Sequence, residues 1–395
     1  MTPMSGHRIA VIGCGVAGSF TALLLQRQGH LVTVFEQAAV LGPVGAGVLL
    51  QPLGQRVLEH AGLLAAAIAT AEPIHYLHAV QRSGGTLIRL PFAAARLGMH
   101  AYGVHRGDLF QALVDPLIAA GVTVVLGARV ERITKAAATV MLACADGRTF
   151  ADIDYVVVAN GANSSLRCQA PFSSRVRDYD YAAIWCTTAM EGAGGRLLQV
   201  VDGTARLMGI LPVGGGRVSL FWGLPGRDRD ACLSQPLDVW KDTLRRFYPP
   251  AGPAIDGISD WAQASYATYR RAAVTPAFDE RTLFLGDAAL SASPHLGQGL
   301  NFALLDAARF AHALAHSPSW LEACGRFTAE RRRHRRYYDA VTGLLTPFFQ
   351  SDSAWRAVAR DLTLPWLHRT PVVRYQMALT MSGMKSGFLG GRLEV

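Results

Sequence analysis

The stretch "HRIAVIGCGVAGSFTALLLQRQGHLVTVFEQ", His7 to Gln37, constrains the fold more than any other part of the chain. An apolar run, Ile9 to Ile12, reads as a buried parallel strand. Gly13, Gly15 and Gly18 then form GxGxxG at the entrance to an apolar helix ending near Gly29, and a second strand, Leu31 to Phe35, delivers Glu36. Gly13 permits the tight turn, Gly15 lets the backbone approach a pyrophosphate, and Gly18 lets helix and strand pack closely. The helix amino terminus faces the phosphates, and Glu36 accepts from ribose hydroxyls. A glycine pattern alone is a weak signal. Between two strands, with an acid ending the second, it predicts a dinucleotide site on a Rossmann-like α/β sheet.

A second constraint comes almost three hundred residues from the amino terminus, in "LFLGDAALSASPHLGQGLNFALLDAARF". A strand-like run ends at Gly286-Asp287, a small-residue loop follows with Pro294, and Gly297 and Gly299 open an apolar helix. Ligands of such sheets sit at the carboxyl ends of strands, so a strand rejoining the first sheet sets Asp287 beside the Gly13 turn. A long cofactor lying across the sheet needs this distant second element.

Between the two, the organisation is interleaved. Ile74 to Phe92 reads as a hairpin turning at Ser83-Gly84-Gly85, and a buried strand from Tyr155 to Ala159 closes on Asn160-Gly161. From about 180 to 265 the pattern is β-rich, and from about 326 it is helical and punctuated by Pro347, Pro365 and Pro371. The expected architecture is a discontinuous Rossmann-like dinucleotide-binding domain (1–73, 98–175 and 266–325), interleaved with a β-rich substrate domain (74–97 and 176–265) and followed by C-terminal helices (326–395).

Composition narrows the classes. At 395 residues the chain exceeds the size at which one core usually splits, and despite a mean hydropathy of +0.21 it has no uncharged apolar run long enough to span a bilayer. The first residues run straight into a strand and so predict a cytoplasmic protein. The six cysteines (Cys14, Cys144, Cys168, Cys186, Cys232, Cys324) are scattered without metal-type spacing, which predicts reduced, mostly buried thiols and no metal. Much of the net charge of +9 sits in "RFTAERRRHRRYYDA". With no stacking platform or nucleic-acid motif beside it, that block reads as a solvated helix face, not a nucleic-acid surface.

Together with "GAGVLLQPLGQRVLEHAGL", "HRGDL" and "VVVANGANSSLR", these two elements make the chain resemble the class A, single-component FAD-dependent aromatic monooxygenases, p-hydroxybenzoate hydroxylase-like, over roughly residues 7 to 320. The resemblance implies that the Rossmann-like domain binds FAD, with the glycine loop on the pyrophosphate, Glu36 on the adenosine ribose, Arg106 and Asp287 near the ribityl and pyrophosphate portion, and Gly297-Gln298-Gly299 beside the flavin ring. The implied cofactor contacts are Gly13, Gly15, Val16, Ala17, Gly18, Glu36, Gln37, Gly47, Val48, Arg106, Asn160, Gly161, Gly286, Asp287, Pro294, Gly297, Gln298, Gly299, Leu300 and Asn301. It also implies reduction by NAD(P)H, addition of O2 to form a flavin hydroperoxide, and transfer of one oxygen atom to an electron-rich ring. Where the family usually carries Asp-Gly, this chain has Asn160-Gly161, which keeps the polar shape and loses the charge.

The β-rich segment is expected to roof the substrate pocket, with Met208, Ile210, Phe221 and Trp222 as lining candidates beside Trp185, Leu207 and Leu211. His100, Tyr102, Tyr181, Tyr266 and Tyr269 are the polar candidates, and none of them is assigned as a catalytic base. Scarcity of charge in this segment points to an apolar aromatic or polycyclic substrate. The alternatives are a flavin reductase or dehydrogenase without oxygen transfer, or a flavin-binding protein without redox turnover. The chain is expected to be a monomer or homodimer. The C-terminal tail is expected to pack on its own domain, ahead of a lid, a subunit contact or a membrane surface.

Overall fold

The computed structural model describes residues 4–42 and 45–394. A five-stranded parallel sheet runs in the order Thr282–Phe284, Tyr155–Val158, Arg8–Ile12, Leu31–Phe35, Thr123–Val125. Its strands are short apolar runs because both faces are covered. The helix Val16–Arg27 lies on one face, against the helix Gly299–Ala315. Val158 pairs with Ile12 on one side and Phe284 on the other. The distant strand therefore does return to the first sheet.

The second layer is an eight-stranded sheet: Leu290–Ser291, Ala264–Thr275, Ser173–Ala189, Arg217–Pro225, Arg206–Gly214, Arg196–Asp202, Tyr76–Gln81, Thr86–Pro91. Residues 266–275, expected with the first layer, run in this second sheet as the partner of Ser173–Ala189. The expected β-rich segment is interrupted between residues 229 and 256 by the helices Arg229–Ser234, Leu237–Phe247 and Gly252–Asp256. In the second of these, Trp240, Leu244 and Phe247 recur at helical spacing and bury one face against the sheet. The other face of the sheet meets the long helix Trp320–Phe349 and the helices Ala354–Leu367 and Pro371–Met381.

The arginine block lies in the long helix, and only part of it forms the expected solvated face. Arg332, Arg333 and Arg336 are exposed, but Arg331 and Arg335 turn inward onto Asp306, with Arg331 Nε 2.7 Å from Asp306 Oδ1. Burial alone would raise the Asp306 carboxyl, yet the two guanidinium groups hold it below the usual carboxylate range. His334, one turn from Arg331, is buried and meets the Gly383 carbonyl at 3.0 Å. Among the described residues, no helix is long and apolar enough to cross a membrane.

Candidate active site

Three strand ends meet at one edge of the parallel sheet. Gly13 N donates to Phe35 O at 2.8 Å, Ala159 N to Ile12 O at 2.9 Å, and Leu285 N to Val158 O at 2.9 Å. The loops that follow therefore share one space. Gly13 adopts φ +100°, and a Cβ there would lie 2.7 Å from Ala159 O; a Cβ on Gly18 would lie 1.8 Å from Gly13 O. Only glycine lets the helix press this closely onto the turn. Over Gly15, by contrast, a Cβ would meet nothing within 4 Å. Open space thus stands at the amino terminus of the helix, where backbone amides favour an anion.

A cavity of about 820 Å³ opens from this point. At this end it is lined by Gly15, Val16, Ala17, Gly47, Val48, Arg106, Gly161, Asp287, Pro294, Gly297, Gly299 and Leu300. Among the described residues, Arg106 and Asp287 are the only charged ones on its walls. Their side chains open onto the cavity while protein surrounds them. Desolvation pushes the Asp287 carboxyl up and the Arg106 guanidinium down, and their mutual attraction opposes both shifts.

Other expected residues stand behind this wall. Glu36 accepts from Cys14 N at 2.7 Å and Ala38 N at 2.9 Å, which ties the glycine turn to the second strand, and Gln37 beside it is exposed. Asn160 packs against Gly13, its Oδ1 buried without a hydrogen-bond partner. A Cβ on Gly286 would lie 2.8 Å from Ala17 Cβ, which brings its turn against the glycine helix. Asn301 accepts from Gln51 N at 2.9 Å and donates to Leu49 O and Gly297 O, each at 3.2 Å. Gln298 donates to Thr380 O and Met381 O, so it fastens the glycine loop to the last helix. Arg167, inside "NSSLR" but unmarked by any motif, is buried and donates to the carbonyls of Gly161, Ala162, Asp287 and Ala288. One guanidinium thereby joins the Asn160-Gly161 turn to the Gly286-Asp287 turn. The space over Gly15 at the helix amino terminus and the Arg106–Asp287 pair together fit a pyrophosphate-bearing dinucleotide.

The chain matches the family model described as FAD binding domain over residues 7–341. It is 31% identical over 317 residues to 3-amino-4-hydroxybenzoate 2-monooxygenase of Streptomyces cremeus, covering 76% of each chain. The chain belongs to the FAD-dependent aromatic monooxygenases. Within this family it is also similar to aurachin C monooxygenase/isomerase of Stigmatella aurantiaca, 27% identical over 365 residues, with 90% of this chain and 93% of that one covered. The fold is that of Klebsiella pneumoniae HpxO, solved with FAD and uric acid: TM-score 0.81 at 22% identity over 98% of this chain and 99% of that one.

The far end of the monooxygenase cavity lies between the eight-stranded sheet and the C-terminal helices. Strand alternation decides which expected residues reach it. Leu207, Leu211, Phe221 and Trp185 face the cavity, and the Trp185 and Phe221 rings lie 4.9 Å apart. Met208, Ile210 and Trp222, expected as lining residues, are one register step away and point to the opposite face; they pack with Trp240, Leu244 and Phe247. A Cβ on Gly209 would sit 1.7 Å from Phe221 Cε1, so the missing side chain is what lets that ring lie across the strand.

Of the polar candidates, Tyr269 lines the cavity. Tyr181 instead donates to Asp352 Oδ1 at 2.7 Å, Tyr266 lies under Arg229, and His100 Nδ1 meets Gly98 O. Sequence reasoning missed His295 and the C-terminal wall of Tyr337, Val341, Leu345, Phe349, Gln350, Gln376 and Met377. His295 sits inside the "SPHLGQG" loop, and its position one residue past Pro294 was the available signal. The C-terminal wall carries no motif, only an apolar helical repeat of the kind any core helix shows. His295 Nδ1 contacts Ser293 Oγ and lies 3.4 Å from Thr346 Oγ1, while Nε2 is buried without a partner. Burial pushes its pKa down to about 4, so the ring is neutral at physiological pH.

Proposed function

We propose that the chain uses NAD(P)H and O2 to place one oxygen atom on an uncharged aromatic substrate with extended apolar substituents. The observation that carries this reading is the charge map of the cavity: beyond Arg106 and Asp287, the described residues of its walls include no charged side chain. A substrate carboxylate would there lose its hydration without a cationic partner, at a cost of several kcal/mol. Apolar rings and chains lose nothing of that kind on entry.

FAD, when bound, supplies electron uptake from the nicotinamide and activation of dioxygen. In the proposed arrangement the Gly13–Gly18 turn and Asp287 would hold its phosphate and ribityl portion, with Gly297 to Leu300 on the side of its ring. The amino terminus of the helix Gly299–Ala315 directs backbone dipoles toward that point and favours negative charge there. Trp185 and Phe221 stack the substrate ring and, with the C-terminal helices, keep water away. The buried side-chain polar atoms His295 Nε2, Gln350 Oε1 and Gln376 Oε1, all unpartnered, suit a substrate that brings hydroxyl or ring N–H groups. A neutral His295 accepting from a ring hydroxyl would raise electron density on the ring carbons where oxygen arrives.

The test is anaerobic bleaching of the flavin absorbance by NADPH and NADH, with and without a panel of phenols, quinolones and polycyclic aromatics, each as a free acid and as a neutral analogue. The reading expects neutral apolar compounds to accelerate reduction and, on admission of oxygen, to gain one oxygen atom by mass. Acceleration confined to the carboxylates would overturn the substrate class.

A further inference from the structure

The helix Ala354–Leu367 presents a stripe that the fold leaves uncovered. Trp355, Val358, Leu362 and Trp366 recur at spacings of three and four and are 65%, 58%, 67% and 72% exposed. Ala357 and Arg360, on the opposite side, are buried. The stripe continues onto the long helix, where the Phe348 ring meets Trp355 edge-on at 6.5 Å. At its other end are Leu367 and Val372, 44% and 69% exposed, which also line the cavity. An apolar surface of this extent, running up to the mouth of an apolar cavity, marks an interaction site.

We propose that this face docks on an anionic lipid bilayer, with the cavity mouth held at the membrane surface. Its charge identifies the occupant. Between residues 353 and 381 the chain carries Arg356, Arg360, Arg369 and Arg374 against one acid, Asp361, and Arg360 already holds that acid at 2.7 Å. Arg356 and Arg369 lie over the rings of Trp355 and Trp366, at 5.3 and 6.0 Å from the ring centroids. Tryptophan flanked by arginine on an otherwise apolar stripe is the composition of a helix that lies in the headgroup region: the rings enter the interface and the guanidinium groups meet lipid phosphates. A second copy of the chain fits less well, because a two-fold contact would set this basic face against itself. Packing of the tail on its own domain, expected from the sequence, accounts for the buried side of these helices and leaves their outer side for the bilayer.

The experiment is flotation of the FAD-loaded full chain with vesicles of phosphatidylcholine alone and of equimolar phosphatidylcholine and phosphatidylglycerol, beside sedimentation velocity without lipid. The wild type should float with the anionic vesicles at least about tenfold more strongly than with the neutral ones, since each basic residue near the surface contributes about fivefold. Trp355→Ser, Leu362→Ser and Trp366→Ser combined should abolish flotation while flavin content and circular dichroism stay unchanged, because none of the three lines the cavity. Arg369→Glu with Arg374→Glu should remove the preference for anionic lipid. Failure of the wild type to float, or equal flotation of the triple variant, overturns the proposal. So does a wild-type dimer that the triple variant splits and that shows no lipid binding, which would assign the stripe to a second copy.

Discussion

Asp287 and His295 lie on the same loop system and face the same cavity, yet their environments give them different tasks. Asp287 stands with Arg106 at the end that fits FAD, and Asp287→Ala should lower flavin occupancy at least tenfold after gel filtration while leaving the fold intact. Full retention of flavin and of rate would remove that residue from the site. His295→Phe should keep the flavin and the neutral character of the wall but lose the unpartnered nitrogen proposed to meet a substrate polar group. We expect kcat/KM to fall at least tenfold, about the worth of one hydrogen bond to a buried polar group. Because the His295 pKa lies near 4, activity between pH 6 and 8 should show no inflection that disappears in this variant.

At the scale of elements, adjacent positions on one strand test the face assignment. Met208→Ala removes a buried side chain from the outer core and should cost about 2–5 kcal/mol in urea unfolding, with KM unchanged in the folded fraction. Phe221→Ala should show the converse, a raised KM with a smaller loss of stability. If Met208→Ala raised KM instead, Met208 would belong to the cavity face and the strand register would be off by one residue. The contact between the helices Gly299–Ala315 and Trp320–Phe349, apolar at Phe310 and Phe327, also buries Asp306 between two arginines. Asp306→Asn would leave Arg331 buried without its counter-charge and should destabilise the protein by about 3–5 kcal/mol, read as a fall in the denaturation midpoint.

For the whole molecule, pH acts through histidines buried as neutral rings. Burial holds His30 and His295 down at about 4 and His334 at about 3. All three would titrate near 6.5 in the unfolded chain, which therefore binds more protons than the folded one between those limits. Stability should be fully present above about pH 6.5 and decline as pH falls toward 4, by on the order of 1 kcal/mol per pKa unit for each ring. Asp306, held low by its arginines, adds a loss of the same sign at still lower pH. A thermal midpoint that stayed flat from pH 7 to 4.5 would contradict this account.

What the sequence determined by itself was the backbone of the nucleotide end, because its requirements are local. Gly13, Gly15 and Gly18 declare a turn, an open space and a close contact through the absence of side chains, and their spacing survives without tertiary context. The Gly286-Asp287 element was legible for the same reason. Only the tertiary structure decided which side of the large sheet faces the cavity, since a period-two strand buried on both faces hides its register, and Met208 and Leu207 are equally apolar. It also decided that Arg331 and Arg335 turn inward, because the partner that draws them, Asp306, lies on another helix. The substrate wall was least legible of all: half of it comes from C-terminal helices whose apolar residues reveal their role only once a cavity stands beneath them.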